Sequence, residues 1–258
     1  MTQTLNGLRI LNTRPKNQAH ALSKNITDAG GVAIECPTIE IKATTNTWVD
    51  SLSNLKEVDQ AIFVSANAVH HCFTQLKLNN IPWPGHIKII AIGQSSEKAL
   101  NEYNISVTHI PDEPDSEHLL KLDSLQQIKN QTVLLFKGEG GRQLIEESLL
   151  QKEANVITLN VYKRVIPKIR HRFINSLWRD DLVDIILLTS EQSIFNLFKM
   201  FNKDAHYWLQ EKPCLVISER LAKSASLFGI KKIIISHPDR VMNTLFDYYQ
   251  GLLNDQEQ

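Results

Sequence analysis

Cysteine is scarce, with three among 258 residues. Cys36, Cys72 and Cys214 are widely spaced, odd in number and form no CxxC pair, which excludes a disulfide framework and a zinc finger. Reduced thiols in a cytoplasmic protein are the expectation. The chain also lacks HExxH, GxxxxGK[ST] and GxSxG, so zincin, P-loop and nucleophile-elbow chemistry are not expected. No charge of one sign is in excess, since Lys+Arg and Asp+Glu each number 28. A nucleic-acid-coating surface needs a basic surplus to displace counterions, so no nucleic-acid partner is expected, although a small anion in a local site is not excluded. Long apolar runs are missing too. The stretch Ile185–Leu188 is far too short to span a bilayer, and residues 1–16 lack the cationic start and apolar core of a secretory signal. Nine histidines are scattered. Only His70 and His71 are neighbours, and adjacent residues on a helix point apart, so they are expected on the surface and no metal site is expected.

What is present is an ordinary globular composition, 42% hydrophobic and 22% charged, organised by an internal repeat. Leu8–Asn12 corresponds to Thr132–Phe136, and Val32–Cys36 to Val156–Val161. Asp59–Ser65 corresponds to Asp184–Ser190, and Ile89–Gly93 to Cys214–Ser218. The offset is about 125 positions throughout. Amphipathic patterns follow the runs: Ala19, Leu22 and Ile26; Ala68, Val69, Cys72, Phe73 and Leu76; Ile194, Leu197 and Phe198. A last helix is expected to close each repeat, over Leu119–Ile128 and Val241–Tyr249. Short apolar strands alternating with helices imply two α/β units, each with a parallel sheet and right-handed crossovers. The polar stretches Lys42–Thr47 and Arg164–Lys168 are the boundary candidates.

In open α/β sheets, ligands bind beyond the carboxyl ends of the strands, so the loops there are the candidate site, lining a cleft expected between the units. They are Thr13 and Arg14; Ser65, Ala66 and Asn67; Gly93, Ser95 and Ser96; Gly138, Glu139 and Gly140; Thr189, Ser190 and Glu191; and Ser218. Ser65, Ser95 or Ser96, and Ser190 are natural helix N-caps. The outward N–H groups of such helix starts suit carboxylates or phosphates. The run Gly138–Gln143 looks like a dinucleotide fingerprint, but Gln143 replaces its third glycine and no acid ends the next strand, so an anion cradle of backbone amides fits better. Tyr162 ends the second strand of the second repeat. It is either a packing aromatic or a weak phenolic acid facing the cleft.

Taken in order, Thr13-Arg14-Pro15, Ser65-Ala66-Asn67-Ala68-Val69, Ala91-Ile92-Gly93, Gly138-Glu139-Gly140-Gly141-Arg142, Val161-Tyr162-Lys163-Arg164 and Ser218-Glu219-Arg220-Leu221-Ala222 resemble the uroporphyrinogen-III synthases. The resemblance runs from Leu8 to about Leu245. It implies two similar α/β domains joined by a two-stranded antiparallel linker: 1–37 with 167–258, 46–160, and linker strands 38–45 and 161–166. It further implies a cytoplasmic, monomeric lyase of porphyrin and heme biosynthesis that uses no cofactor. The implied reaction cyclises hydroxymethylbilane to uroporphyrinogen III, losing water and inverting ring D through a spiro intermediate. A transient contact with hydroxymethylbilane synthase is the one protein partner this would admit. By the same resemblance Tyr162 is catalytic, assisting departure of the hydroxyl. Thr13, Arg14, Ser65, Ala66, Asn67, Gly93, Ser95, Ser96, Gly138, Glu139, Gly140, Thr189, Ser190, Glu191 and Ser218 contact substrate through side chains or amides. Some relatives carry arginine at the place of Asn67 and threonines at those of Arg220 and Leu221, which shifts the expectation there to backbone contacts. Two rivals are a non-catalytic two-domain ligand-binding protein and a nucleotide- or sugar-phosphate enzyme.

Overall fold

The computed structural model describes residues 4–52 and 54–256; the extreme ends of the expected first domain, 1–3 and 257–258, lie outside them. In chain order the elements are β1 (Arg9–Asn12), α1 (Lys16–Asp28), β2 (Val32–Glu35), β3 (Glu40–Ala43), β4 (Gln60–Phe63), α2 (Ala66–Leu78), β5 (Lys88–Ala91), α3 (Gln94–Asn101) and α4 (Ser116–Leu119). There follow β6 (Thr132–Gly138), α5 (Leu144–Gln151), β7 (Asn155–Val165), α6 (His171–Arg179), β8 (Ile185–Leu188), α7 (Glu191–Met200), α8 (His206–Glu211), β9 (Cys214–Val216), α9 (Glu219–Leu227), β10 (Ile233–Ile235) and α10 (Val241–Gln256).

The chain divides into two compact units, Met1–Glu40 with Val165–Gln258, and Ile41–Arg164. Their five-stranded sheets run β10-β9-β8-β1-β2 and β3-β7-β6-β4-β5. The pairings β1–β2, β1–β8, β8–β9 and β9–β10 are parallel in the first, and β4–β5, β4–β6 and β6–β7 in the second. The repeat therefore does not fold as two successive halves. The first sheet joins β1 and β2 of the first repeat to β8, β9 and β10 of the second, and the second sheet joins β3, β4 and β5 of the first repeat to β6 and β7 of the second.

Alternation along the strands sends each sheet's side chains into two cores. In the second unit Phe63 and Phe136, paired across β4 and β6, stack at 4.5 Å and 3°, and they pack with Trp48, Phe73 and Leu159. Ile62, Ile90 and Leu135 face the other way, onto Leu119, Leu125 and Ile128. In the first unit Leu11, Ile186 and Leu188 join one cluster, and Ile10, Ile185 and Leu187 the other. Strands β4 and β8 are buried at every position.

One expected helix is broken. The leucines between Leu119 and Ile128 sit on α4, a turn and a short 3-10 segment over Asp123–Leu125. Leu122 is extended (ψ 134) and the Gln126 amide donates to the carbonyls of Leu120 and Leu122. Leu119, Leu125 and Ile128 are still fully buried, because two short turns meet the same apolar spacing as one helix.

The repeat is visible at the level of single hydrogen bonds. Asp59, just before β4, accepts from the amide of Thr132 at 2.8 Å, and Asp184, just before β8, accepts from the amide of Arg9 at 2.8 Å. Asp184 also takes the Arg9 guanidinium, at 3.0 and 2.5 Å. Burial opposes the Asp184 charge, but these bonds from the Arg9 side chain and backbone outweigh it and hold the carboxyl below its ordinary range. A depressed folded-state value means the stabilisation is present above the unfolded-state value of about 3.9 and is lost as pH falls through the folded-state value. Asp184→Asn is expected to cost about 1.5–3 kcal/mol at neutral pH and less in acid. Thermal melts of both proteins across that range check it; parallel pH profiles would refute it.

All three thiols are fully buried and unbridged. Burial pushes Cys36 and Cys214 up to about 12 and Cys72 well above its ordinary value. A thiol-specific reagent at mildly alkaline pH is expected to leave the native protein unmodified and to label all three after denaturation. Rapid labelling of the native protein would contradict this packing.

Candidate active site

The carboxyl ends of β4, β5, β6 and β7 lie along one edge of the second unit's sheet, which brings their loops together. Ser65 follows β4 in extended conformation and caps α2, its Oγ accepting from the Ala68 amide at 3.1 Å. Its hydroxyl donates to the Tyr162 oxygen at 3.1 Å. Tyr162 does not end its strand, since β7 continues to Val165. Between β6 and β7 the register slips: Lys137 pairs with Asn160, but Gly138 pairs with Tyr162. This irregularity re-aims the phenol over Gly138. A Cβ on Gly138 would lie 2.6 Å from the tyrosine Cζ, so only glycine allows the approach.

Tyr162 is 2% exposed. Its ring stacks on His71 at 5.9 Å and 19°. The pair His70 and His71 is thus not on the surface as expected. Both are half-buried, and burial, then the charge of His70, holds His71 below its ordinary value. Arg164, two residues on and so on the same face of the strand, brings Nη2 to 3.4 Å from the phenol oxygen.

The phenol lines a cavity of about 240 Å³ with Val64, Ile92, Leu135 and Ile145 as apolar wall, Ser116, and the glycines 138, 140 and 141. Lys137, Arg142 and Arg164 complete it, and among the described residues no acidic side chain does. Gly140 and Gly141 have φ of 73° and 82°, so this loop reverses in left-handed conformations closed to most residues. Within it Lys137 Nζ donates to the Arg142 carbonyl at 3.2 Å, and Arg142 pairs with Glu117 at 2.5 Å. A second cavity of about 560 Å³ shares Val64 and Ile92 and adds Ser65, Gly93, Gln94, Ser95 and the Ile110–Pro114 loop. Gly93 is the N-cap of α3, and a Cβ there would meet Pro114 at 2.7 Å. Ser95 and Ser96 lie two and three positions past the cap, inside the first turn, and do not cap it. Ser96 is fully buried with its Oγ unbonded, and Ala66, Asn67 and Glu139 line neither cavity.

In the first unit the corresponding ends of β1, β8 and β9 carry the other expected residues. Thr13 is fully buried and its hydroxyl donates to the Leu187 carbonyl at 2.6 Å. Arg14 is half-buried, has no carboxylate partner among the described residues, and burial lowers its pKa. Ser190 and Ser218 cap α7 and α9 through Ser193 and Leu221 amides. Ser190 also meets the Ser193 hydroxyl at 2.7 Å, Thr189 is half-buried, and Glu191 accepts from Ser224 at 3.1 Å and lies 3.7 Å from Arg220.

Lys137, Arg142 and Arg164 escaped the sequence-based choice of site residues. Arg164 could have been found from its two-residue spacing to Tyr162. His71 carried no such signal, because its partner is 91 positions away.

The fold and site define a paired α/β protein in which strand-end loops set a phenol among cations. Comparison with known proteins narrows the class. The profile of the family described as "Uroporphyrinogen-III synthase HemD" matches residues 20–242. Uroporphyrinogen-III synthase of Salmonella typhimurium is 30% identical over 233 residues, covering 89% of this chain and 95% of that one. The Proteus mirabilis enzyme of the same name is 35% identical over 161 residues, covering 61% and 81%. In fold, the chain resembles a mutant uroporphyrinogen III synthase from Thermus thermophilus, with a TM-score of 0.65 at 16% identity, covering 96% of this chain and 100% of that one. The chain belongs to the uroporphyrinogen-III synthase family, the cyclizing lyases of heme biosynthesis. The non-catalytic alternative finds no support in these likenesses. Among the described residues no helix is long and apolar enough to cross a membrane.

Proposed function

We propose that the chain takes hydroxymethylbilane, loses water from its terminal hydroxymethyl group and closes the macrocycle with ring D inverted, giving uroporphyrinogen III. The observation that carries this reading is the hydrogen bonding of Tyr162. The Ser65 hydroxyl and Arg164 both donate to the phenol oxygen. Tyr162's own hydrogen is therefore free for a group in the cavity it lines.

Tyr162 gives that proton to the departing hydroxyl as the C–O bond breaks, and the electron-rich pyrrole supplies the electrons, leaving an azafulvene. The far pyrrole attacks through its substituted carbon to form the spiro intermediate, which fragments and recloses in the inverted sense. A pyrrole proton is lost at the end and restores the phenol. The substrate cyclises unaided without inversion, so the protein's task is to fold it and to time the departure of water.

Each ring carries an acetate and a propionate. The amides at Ser65, Gly93, Ser95, Gly138 and Gly140, the Ser95 hydroxyl and the half-buried Arg14 are the donors for them. Thr189, Ser190, Glu191 and Ser218 contribute through backbone groups at helix starts, and Ala66, Asn67 and Glu139 from the loop flanks. Thr13 acts from the interior, its hydroxyl holding its loop to the Leu187 carbonyl, and Ser96 acts through its place in the first turn of α3. The same reading makes the enzyme a cytoplasmic monomer that receives its substrate from hydroxymethylbilane synthase, at most through a transient contact.

The test is supply of fresh hydroxymethylbilane, followed by oxidation and separation of the isomers. Type III product above a protein-free control is expected. Type I alone from a folded protein would overturn the reading.

A further inference from the structure

Among the described residues, the cavity beside Tyr162 concentrates three cations and no acid in a chain whose formal charges cancel. Arg142 is committed to Glu117 at 2.5 Å. Lys137 and Arg164 have no carboxylate partner among the described residues. Lys137 spends one ammonium hydrogen on the Arg142 carbonyl and keeps two, while Arg164 spends one N–H on the Tyr162 oxygen and keeps four. We propose that Lys137 and Arg164 form a clamp for a carboxylate of the pyrrole ring being processed at Tyr162, and so set substrate specificity. This rests on the synthase reading above.

The size and walls of the cavity agree with a single ring. Its 240 Å³ falls below the roughly 300–1,000 Å³ that hold a drug-sized molecule whole. Val64, Ile92, Leu135 and Ile145 offer the pyrrole an apolar wall, and the two free cations offer its acidic arm charge-assisted bonds. Because Arg164 touches both the phenol and the clamp, seating the carboxylate orients the group that protonates the leaving hydroxyl. Lys137 is bound to the glycine loop instead, so it reads charge without touching the phenol.

Steady-state kinetics on hydroxymethylbilane separate these roles. Lys137→Gln is expected to raise KM about tenfold, the equivalent of about 1.4 kcal/mol, with kcat unchanged. Arg164→Gln is expected to raise KM similarly and to lower kcat as well. Lys137→Arg restores KM. Wild-type KM is expected to rise with ionic strength, because salt screens the charges, and the Lys137→Gln/Arg164→Gln double variant to lose most of that dependence; a merely structural role would not alter the salt response. A double variant with wild-type melting temperature, wild-type KM and wild-type salt dependence overturns the clamp. If the wild-type protein yields only the type I isomer, the synthase reading fails first, so the two failures are distinguishable.

Discussion

Tyr162→Phe is expected to lower kcat by about 10²–10⁴-fold, the usual worth of a positioned general acid, while KM moves little. The substitution removes one oxygen and leaves the ring where it is, over Gly138 and against His71. It takes the proton donor from the cavity and deprives the Ser65 hydroxyl of its acceptor, which costs about 1 kcal/mol of stability. Because hydroxymethylbilane closes unaided, the residual product is expected to drift toward type I as the enzymatic route slows. Rate and isomer ratio are thus independent readouts. Unchanged turnover of type III by Tyr162→Phe would remove Tyr162 from the mechanism.

Gly138→Ala is expected to be nearly as damaging to activity and more so to stability. The added methyl would sit 2.6 Å from Tyr162 Cζ and 2.7 Å from Cε2, closer than carbon atoms approach, so the ring or the β6–β7 irregularity must shift. Overpacking of this kind costs about 1–3 kcal/mol, and a displaced phenol can cost about 10²-fold in rate. Combining Gly138→Ala with Tyr162→Ala is expected to give much less than additive destabilisation, since the second change removes what the methyl strikes. Additive melting temperatures would mean that the glycine is required for some other reason.

Local features were the legible ones. Ser65, Ser190 and Ser218 bond the amides three residues ahead of them, and that requires only a strand end followed by a helix start. The repeat also reached further than its pattern, since Asp59 and Asp184 stand at equivalent places and make equivalent bonds. Strand exchange was not readable from the repeat itself, because repeats look the same whether a strand pairs within its own half or with the other. At Leu119–Ile128 the sequence offered leucines at helical spacing, and a helix and two turns used them equally well. The cap expected at Ser95 or Ser96 falls two or three positions earlier, at Gly93, which caps its helix without a side chain, and the serines lie inside the first turn.

The site was half legible for a related reason. The glycine loop stands out as loop chemistry at a strand end, and Tyr162 as an aromatic that closes an apolar run, although its strand continues to Val165. What makes the phenol useful is contact over long sequence separations: Ser65 at 97 positions and His71 beyond any periodic pattern. The β6–β7 register slip that turns Tyr162 over Gly138 leaves no mark in composition or hydropathy. Cationic character was hidden by bookkeeping over the whole chain, because an overall charge of zero coexists with a cavity lined by Lys137, Arg142 and Arg164.

The most direct test of the account is a crystal structure of the protein with its tetrapyrrole bound. It predicts one ring in the cavity of the second unit, within hydrogen-bond reach of the Tyr162 hydroxyl, with a carboxylate on Lys137 and Arg164. A tetrapyrrole bound with that cavity empty and Tyr162 untouched would contradict it.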